Sequence, residues 1–431
     1  MRKLTLLIGV LLLVIAGVGL FSFLRTPWTT EFALNGPLEQ GSLSSAHELP
    51  PIPEAEGSDK KSLLPGKSNS SEDIEKQKSL PSPPAVVKGI YATSWSAGSA
   101  SRVKYLTDLI EGTELNAIVI DIKDYSGYVA YRTGVPEIAA SGAEGDIRIL
   151  RPNALIKTLH DKNIYVIGRI SVFQDSILAK AHPELALKDK ATGKLWLDRK
   201  ELAWLDAAGR EAWDYNILIG KDALSRGFDE INFDYIRFAS DGDLSNISYP
   251  FWDERTPRSR VMKNFFKYLR ENLPGAKISA DLFGLVTVNR GDLGIGQVIE
   301  DGFEYFDFVS PMVYPSHYAS GFLGYKNPAE HPYEIVKYSL ETALARLRDF
   351  GLGGADATST YATGTVAARE APKDMRYKLR PWLQDFDLGA IYDASMVKSQ
   401  IQAVYDSASS TPDLTSGWLL WDPSNNYTRG A

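Results

Sequence analysis

Eight short apolar runs separated by stretches of helical period predict an α/β fold, a (β/α)8 TIM barrel, over residues 87–431. The runs are nearly continuous in Val, Ile, Phe and Tyr, as suits parallel strands covered on both faces. Most of them close on a charged or polar residue, and barrel enzymes place their chemistry at that rim. Ahead of the barrel the sequence predicts an N-terminal transmembrane helix (residues 1–25) and a disordered linker (residues 26–86).

Met1-Arg2-Lys3 is followed by Leu4 to Leu24, a stretch of 21 residues without charge. As a helix it would extend about 31 Å at 1.5 Å per residue, enough to cross a bilayer core. The run ends in Leu20-Phe21-Ser22-Phe23-Leu24 with no clear small-x-small site. An uncleaved anchor is therefore expected, and secretion after signal cleavage is the alternative. Arg2 and Lys3 against the lone Arg25 place the N-terminus in the cytoplasm and the body outside it. Thr26 to Val86 is dominated by Pro, Ser, Gly, Glu and Lys, as in Leu80-Pro81-Ser82-Pro83-Pro84. It buries too little apolar surface to offset chain entropy and is expected to be a disordered tether.

The expected strands are Lys88–Trp95, Ala117–Lys123, Tyr165–Ser171, Glu230–Phe238, Lys277–Phe283, Phe306–Tyr314, Leu379–Leu383 and Gly417–Trp421. Between them, Val261, Phe265, Leu269 and Leu273 recur every four residues, and Pro274-Gly275 stops that helix. Val336, Leu340, Leu344 and Leu347 form a second stripe, and Leu155, Ile156 and Leu159 a shorter one. A doubly wound open sheet would carry a Gly-rich phosphate turn after its first strand, and Ser94-Trp95-Ser96-Ala97-Gly98 is not one. Two segments exceed a minimal barrel. Tyr125 to Ile149 follows the second strand, where active-site loops are built; Gly351 to Tyr377 precedes the seventh and reads as a surface insertion on the opposite face.

Composition narrows the chemistry. With 54 acidic against 47 basic residues the net charge is −7, so there is no basic footprint for nucleic acid. Without cysteine there is no disulfide, thiolate metal site or cysteine nucleophile. Five scattered histidines offer no metal-binding spacing, and no Gly-x-Ser-x-Gly elbow is present, so neither a metal nor a cofactor is expected.

The strand ends carry the functional signal. Asp121 and Asp124 close the second strand, Arg169 the third, Asp234 and Arg237 the fourth, and Asp281 the fifth. Charge in an apolar strand is costly unless paired or functional. Asn232 and Asp234 share a parity, whereas Arg237 faces the other way unless the strand has ended. Asp234 and Asp281, on adjacent strands, are the expected catalytic pair for two-carboxylate glycoside chemistry. Aromatic rings collect at the same ends, and Trp95, Tyr314, Trp382 and Trp421 are candidates to stack on sugar. His317, Gln384 and Asp422 in the flanking loops complete the expected substrate-binding set.

Lys88-Gly89-Ile90-Tyr91, Ile120-Asp121-Ile122-Lys123-Asp124, Phe233-Asp234-Tyr235-Ile236-Arg237-Phe238, Ala280-Asp281-Leu282-Phe283-Gly284, Ser310-Pro311-Met312-Val313-Tyr314-Pro315 and Arg380-Pro381-Trp382-Leu383-Gln384 occur in this order. On these strings the chain resembles the bacterial putative glycosyl hydrolase domain family, distantly similar to the α-amylase-superfamily barrels. The resemblance spans roughly Val87 to Pro423. It implies a TIM barrel and hydrolysis of glycosidic bonds. An amylase-like layout would place a nucleophilic Asp on the fourth strand, which Asp234 matches, and a Glu acid on the fifth, where this chain has Asp281.

The expected function is thus a membrane-tethered glycoside hydrolase acting on an envelope or extracellular polysaccharide. A non-catalytic carbohydrate-binding barrel is the alternative, and a polysaccharide deacetylase a weaker one.

Overall fold

The computed structural model describes residues 72–352 and 375–431. Eight parallel strands follow one another round a closed ring in sequence order: β1 (Val87–Ala92), β2 (Ala117–Lys123), β3 (Tyr165–Ser171), β4 (Glu230–Asp234), β5 (Ile278–Phe283), β6 (Phe308–Met312), β7 (Trp382–Gln384) and β8 (Gly417–Trp421). The ring closes where β8 pairs with β1. The connecting helices are α1 (Ala100–Glu111), α2 (Pro152–His160), α3 (Arg210–Arg226), α4 (Arg258–Asn272), α5 (Ile299–Tyr305), α6 (Pro332–Gly351) and α7 (Ala394–Ala408). This is the expected (β/α)8 architecture.

Local chemistry sets the helix ends. Pro152 starts α2, where its missing N–H costs nothing. Asp393 accepts from the backbone N–H of Ser395 and Met396 to open α7. The stripe Val261, Phe265 and Leu269 of α4 is buried, as is Val336, Leu340, Leu344 and Leu347 of α6. These faces join one large core between the helices and the outer side of the strands. A smaller apolar cluster, including Val87, Tyr91, Val119, Ile167, Trp382 and Leu419, fills the barrel interior. Space there is tight: a Cβ on Gly89 would meet the Leu419 side chain at 2.8 Å.

The fourth strand is shorter than its apolar run suggested. It ends at Asp234 because Tyr235 takes a left-handed backbone with φ +52°. A non-glycine residue there costs of order 1–3 kcal/mol and persists only where its surroundings impose it. Register then aligns the polar ends: Asp121 lies opposite Arg169, Ser171 opposite Asp234, and Phe233 opposite Ala280. One residue past that last pair come Asp234 and Asp281.

The linker boundary at Val86 needs correction. Residues 72–86 lie along the barrel. Asp73 accepts from the first-turn N–H groups of Asn153 (2.8 Å) and Ala154 (3.1 Å) in α2. The Gln77 N–H donates to the carbonyl of Arg226 (3.1 Å), and buried Leu80 donates to Asp229 (2.5 Å). Periodicity missed this strap because an extended segment held by isolated hydrogen bonds has no period. The expected membrane helix, the rest of the linker and residues 353–374 of the second insertion lie outside the described residues. Among the described residues no helix is long and apolar enough to cross a membrane.

Tyr125 to Ile149 is a packed excursion with a short helix at Pro136–Ala140, and Val129, Tyr131 and Ile138 are buried in it. A second excursion, unanticipated, fills residues 172–209 and pairs through Lys188–Asp189 with Ile247–Ser248. It carries Trp204 to the rim.

Candidate active site

Arg169 is the hub of the rim. It points inward from β3, and its Nη1 donates to Asp121 (2.6 Å) while Nη2 donates to Asp234 (2.5 Å). Its Nε lies 3.6 Å from Asp281 Oδ2, beyond hydrogen-bonding reach, and has no other partner. Three carboxylates from β2, β4 and β5 thus surround one guanidinium, all four groups buried. Burial works against the charge of Arg169, but the charges of Asp121 and Asp234 overcome it and hold its pKa well above the usual value.

The carboxylates differ in what else they touch. Asp121 accepts from the Tyr91 hydroxyl (2.5 Å), and burial lifts its pKa, partly offset by Arg169. Asp234 accepts from the backbone N–H of Tyr235 at 2.6 Å, a bond that the left-handed turn makes possible. Asp281 takes two N–H groups on a single oxygen: Asn232 Nδ2 and Trp382 Nε1 each reach Oδ1 at 2.8 Å. Burial, reinforced by the nearby Asp234 charge, pushes its pKa up to about 8. The two neighbouring carboxylates therefore sit in unlike environments, one hydrogen-bonded to the guanidinium and the other more deeply buried, with Oδ1 holding two N–H groups and Oδ2 3.6 Å from Arg169 Nε.

Tyr314 lies beside this pair, buried, and burial followed by the charges of Asp281 and Asp234 raises its hydroxyl well above its ordinary value. Trp421 stacks on Tyr91 with centroids 3.9 Å apart and lies 4.9 Å from the Arg169 guanidinium. Trp95 is 58% exposed, and one ring face rests on Arg148 at 4.6 Å. That exposure is what a sugar platform requires.

Four expected substrate contacts are assigned other work by the structure. Trp382 is fully buried and offers no stacking face; its indole N–H orients Asp281. Gln384 is buried, with its amide used by Ser316 and by the Phe386 carbonyl. Asp422 accepts from the N–H groups of Ser424 and Asn426 and closes a turn. Asp124 is ion-paired to Arg148. His317 is exposed on the loop after β6, with Nδ1 3.0 Å from the Ser316 hydroxyl. Arg237 does not meet Asp234; it turns toward Trp204, Tyr235 and Phe283.

Residue-by-residue reading overlooked Tyr91, Arg148 and Trp204. Tyr91 had a signal, as the last inward position of β1 by parity with Val87 and Gly89. Trp204 had none, since it comes from an irregular excursion. Among the described residues no group of three or more His, Cys, Asp or Glu is placed to hold a metal ion. A cavity of about 430 Å³ lies elsewhere, between α1 and α7 beside Trp418 and Arg429, and contains none of these carboxylates.

The sequence profile of the Putative glycosyl hydrolase domain matches residues 89–427. A hypothetical protein from Ruminiclostridium thermocellum ATCC 27405 is 40% identical over 44% of this chain and 96% of its own, with a TM-score of 0.41. The glycoside hydrolase domain of PgaB (BpsB) from Bordetella bronchiseptica is similar over 79% of this chain and 95% of its own, at 12% identity and a TM-score of 0.52. At that identity the likeness concerns the fold. No curated protein matches the chain.

Proposed function

Because the chain belongs to the Putative glycosyl hydrolase domain family, we propose that it hydrolyses glycosidic bonds of an envelope or extracellular polysaccharide through Asp234 and Asp281. The observation that carries this reading is the unlike setting of two carboxylates on neighbouring strands. Two-carboxylate hydrolysis needs one group ionised and one protonated at the same pH.

Asp281 is the acid. Its raised pKa keeps a proton at neutral pH, and with Oδ1 occupied by two donors the proton belongs on Oδ2. From Oδ2 it passes to the leaving glycosidic oxygen. The ionised Asp281 that results faces Arg169 Nε, a donor with no partner beforehand. The product form of the acid thus finds an ion pair that the starting form lacks. Asp234 is the nucleophile or base, aimed by Arg169 and by the Tyr235 N–H. Tyr314 and the Tyr91–Trp421 stack wall the reacting centre, and Trp95 offers an outlying platform for a further sugar. The barrel would work outside the cytoplasm, anchored by residues 1–25 and tethered by the linker that the sequence indicates.

The test is a panel of envelope and extracellular polysaccharides assayed for new reducing ends, wild type beside Asp234→Asn. Turnover by the wild type alone supports the hydrolase. Binding by both without turnover would favour a carbohydrate-binding barrel.

A further inference from the structure

Arg237 stands apart from the other rim arginines. Arg169 is surrounded by three carboxylates and Arg148 is paired with two. Arg237 has none: among the described residues no carboxylate ion-pairs with it. Its Nη1 donates to the Phe238 carbonyl (3.1 Å) and the Ser240 hydroxyl (2.9 Å), while Nε and Nη2 meet no acceptor among the described residues. Three aromatic rings frame it: Trp204 at 4.7 Å, Phe283 at 4.8 Å and Tyr235 at 5.3 Å. Each ring is itself fixed. The Trp204 indole donates to Asp198 (2.9 Å), Phe283 ends β5, and Tyr235 is held in its left-handed turn.

This is a planar cation in a rigid aromatic frame, half-buried, with one donor edge open. Two frame residues adjoin the proposed catalytic pair, Tyr235 directly after Asp234 and Phe283 two residues after Asp281. Burial lowers the Arg237 pKa, and the charges of Tyr235, Asp234, Asp241 and Asp198 oppose that shift without overcoming it, so the fold keeps a cation there against a desolvation cost that is only partly offset. A guanidinium's open edge matches a carboxylate in two parallel hydrogen bonds.

We propose that Arg237 recognises a carboxylate on a sugar bound beside Asp234 and Asp281, so that the substrate is an acidic glycan. The proposal rests on the hydrolase reading for its catalytic setting but not for its test. A sugar carboxylate comes from a uronic acid or from a lactyl ether on an amino sugar, and the probes separate the two.

Ligand-observed NMR on the full chain at pH 7 would compare D-glucuronate with D-glucose, and N-acetylmuramate with N-acetylglucosamine. At least one acid should bind tenfold or more tighter than its neutral counterpart, and that margin should shrink in 0.5 M salt. Arg237→Gln should abolish the margin. Arg237→Lys should keep only part of it, because lysine restores the charge but not the fork. Thermal melting of both variants checks their folding. Equal binding of acid and neutral sugar, no binding of either acid, or a margin that survives in Arg237→Gln would each overturn the proposal. The two readings separate cleanly. An acid margin lost in Arg237→Gln, in a protein that cleaves no glycan, keeps the recognition site and removes the hydrolase. Turnover of a neutral glycan untouched by Arg237→Gln does the reverse.

Discussion

Replacing Trp382 with phenylalanine would remove one N–H from Asp281 while keeping an aromatic ring in the barrel. That N–H reaches Oδ1 at 2.8 Å in a fully buried setting, and it favours the charged carboxylate. A hydrogen bond to a charged group contributes roughly 1.5–3 kcal/mol. At 1.36 kcal/mol per pKa unit, its loss should raise the Asp281 pKa by about one to two units from its value of about 8. Water entering the space left by the indole would act in the opposite sense by hydrating the carboxylate. Titration of 13C-labelled aspartate side-chain carboxyls by NMR reads the value directly and needs no substrate. In a turnover assay the same change should move the alkaline limb of the pH profile upward, because the acid keeps its proton longer. An Asp281 in Trp382→Phe that titrates at or below the wild-type value would refute the assignment of Trp382 as the group that tunes the acid.

Asp281 also links stability to pH. Its folded pKa lies above the unfolded value near ~3.9, so its contribution is complete below pH ~4 and is lost as pH rises through about 8. Thermal melts of Asp281→Asn should therefore decline less than wild type between those limits, and parallel declines would contradict the raised pKa. Asp234→Asn and Asp281→Asn should each lower kcat by about two or more orders of magnitude on a cleaved glycan, with circular dichroism unchanged; near-wild-type turnover in both would remove them from the mechanism. Asp73→Ala should cost about 0.5–2 kcal/mol in urea denaturation through loss of the α2 cap. Starting the chain at Ala85 should cost more, since it also strips buried Leu80, and an unchanged midpoint would show that the strap contributes nothing.

The barrel was legible because parallel strands buried on both faces are written as continuous apolar runs. Ala117–Lys123, Tyr165–Ser171 and Gly417–Trp421 end where those runs end. Glu230–Phe238 misled, because apolar content continues through Ile236 and Phe238 after the backbone has turned at Tyr235. The same turn decides where Arg237 goes, so its partner could not be read from parity. At the site, Asp121, Arg169, Asp234 and Asp281 were visible as charges that interrupt apolar strands. What each aromatic ring does was not visible. Trp382 and Trp95 look alike in sequence, yet one lies inside the ring with its N–H on a carboxylate and the other lies open on the rim. Strand parity separates inside from outside, but not a ring that lines a cleft from one that fills a core.

Closure of the ring between β8 and β1 has a consequence for how the protein is made. Asn425 accepts from the Thr93 N–H across 332 positions and donates to the Tyr91 carbonyl, and the Tyr427 hydroxyl donates to that carbonyl too. Trp421, from the same late segment, supplies the ring that covers Tyr91. A ribosome has therefore synthesised nearly the whole barrel before β1 can gain its second neighbour, and until then the unclosed sheet presents two open edges. Chains interrupted before residue 417 would lack both the closing strand and one wall of the rim. Such chains should be prone to aggregation and unable to assemble the site, so translation completes the barrel and the rim in one step.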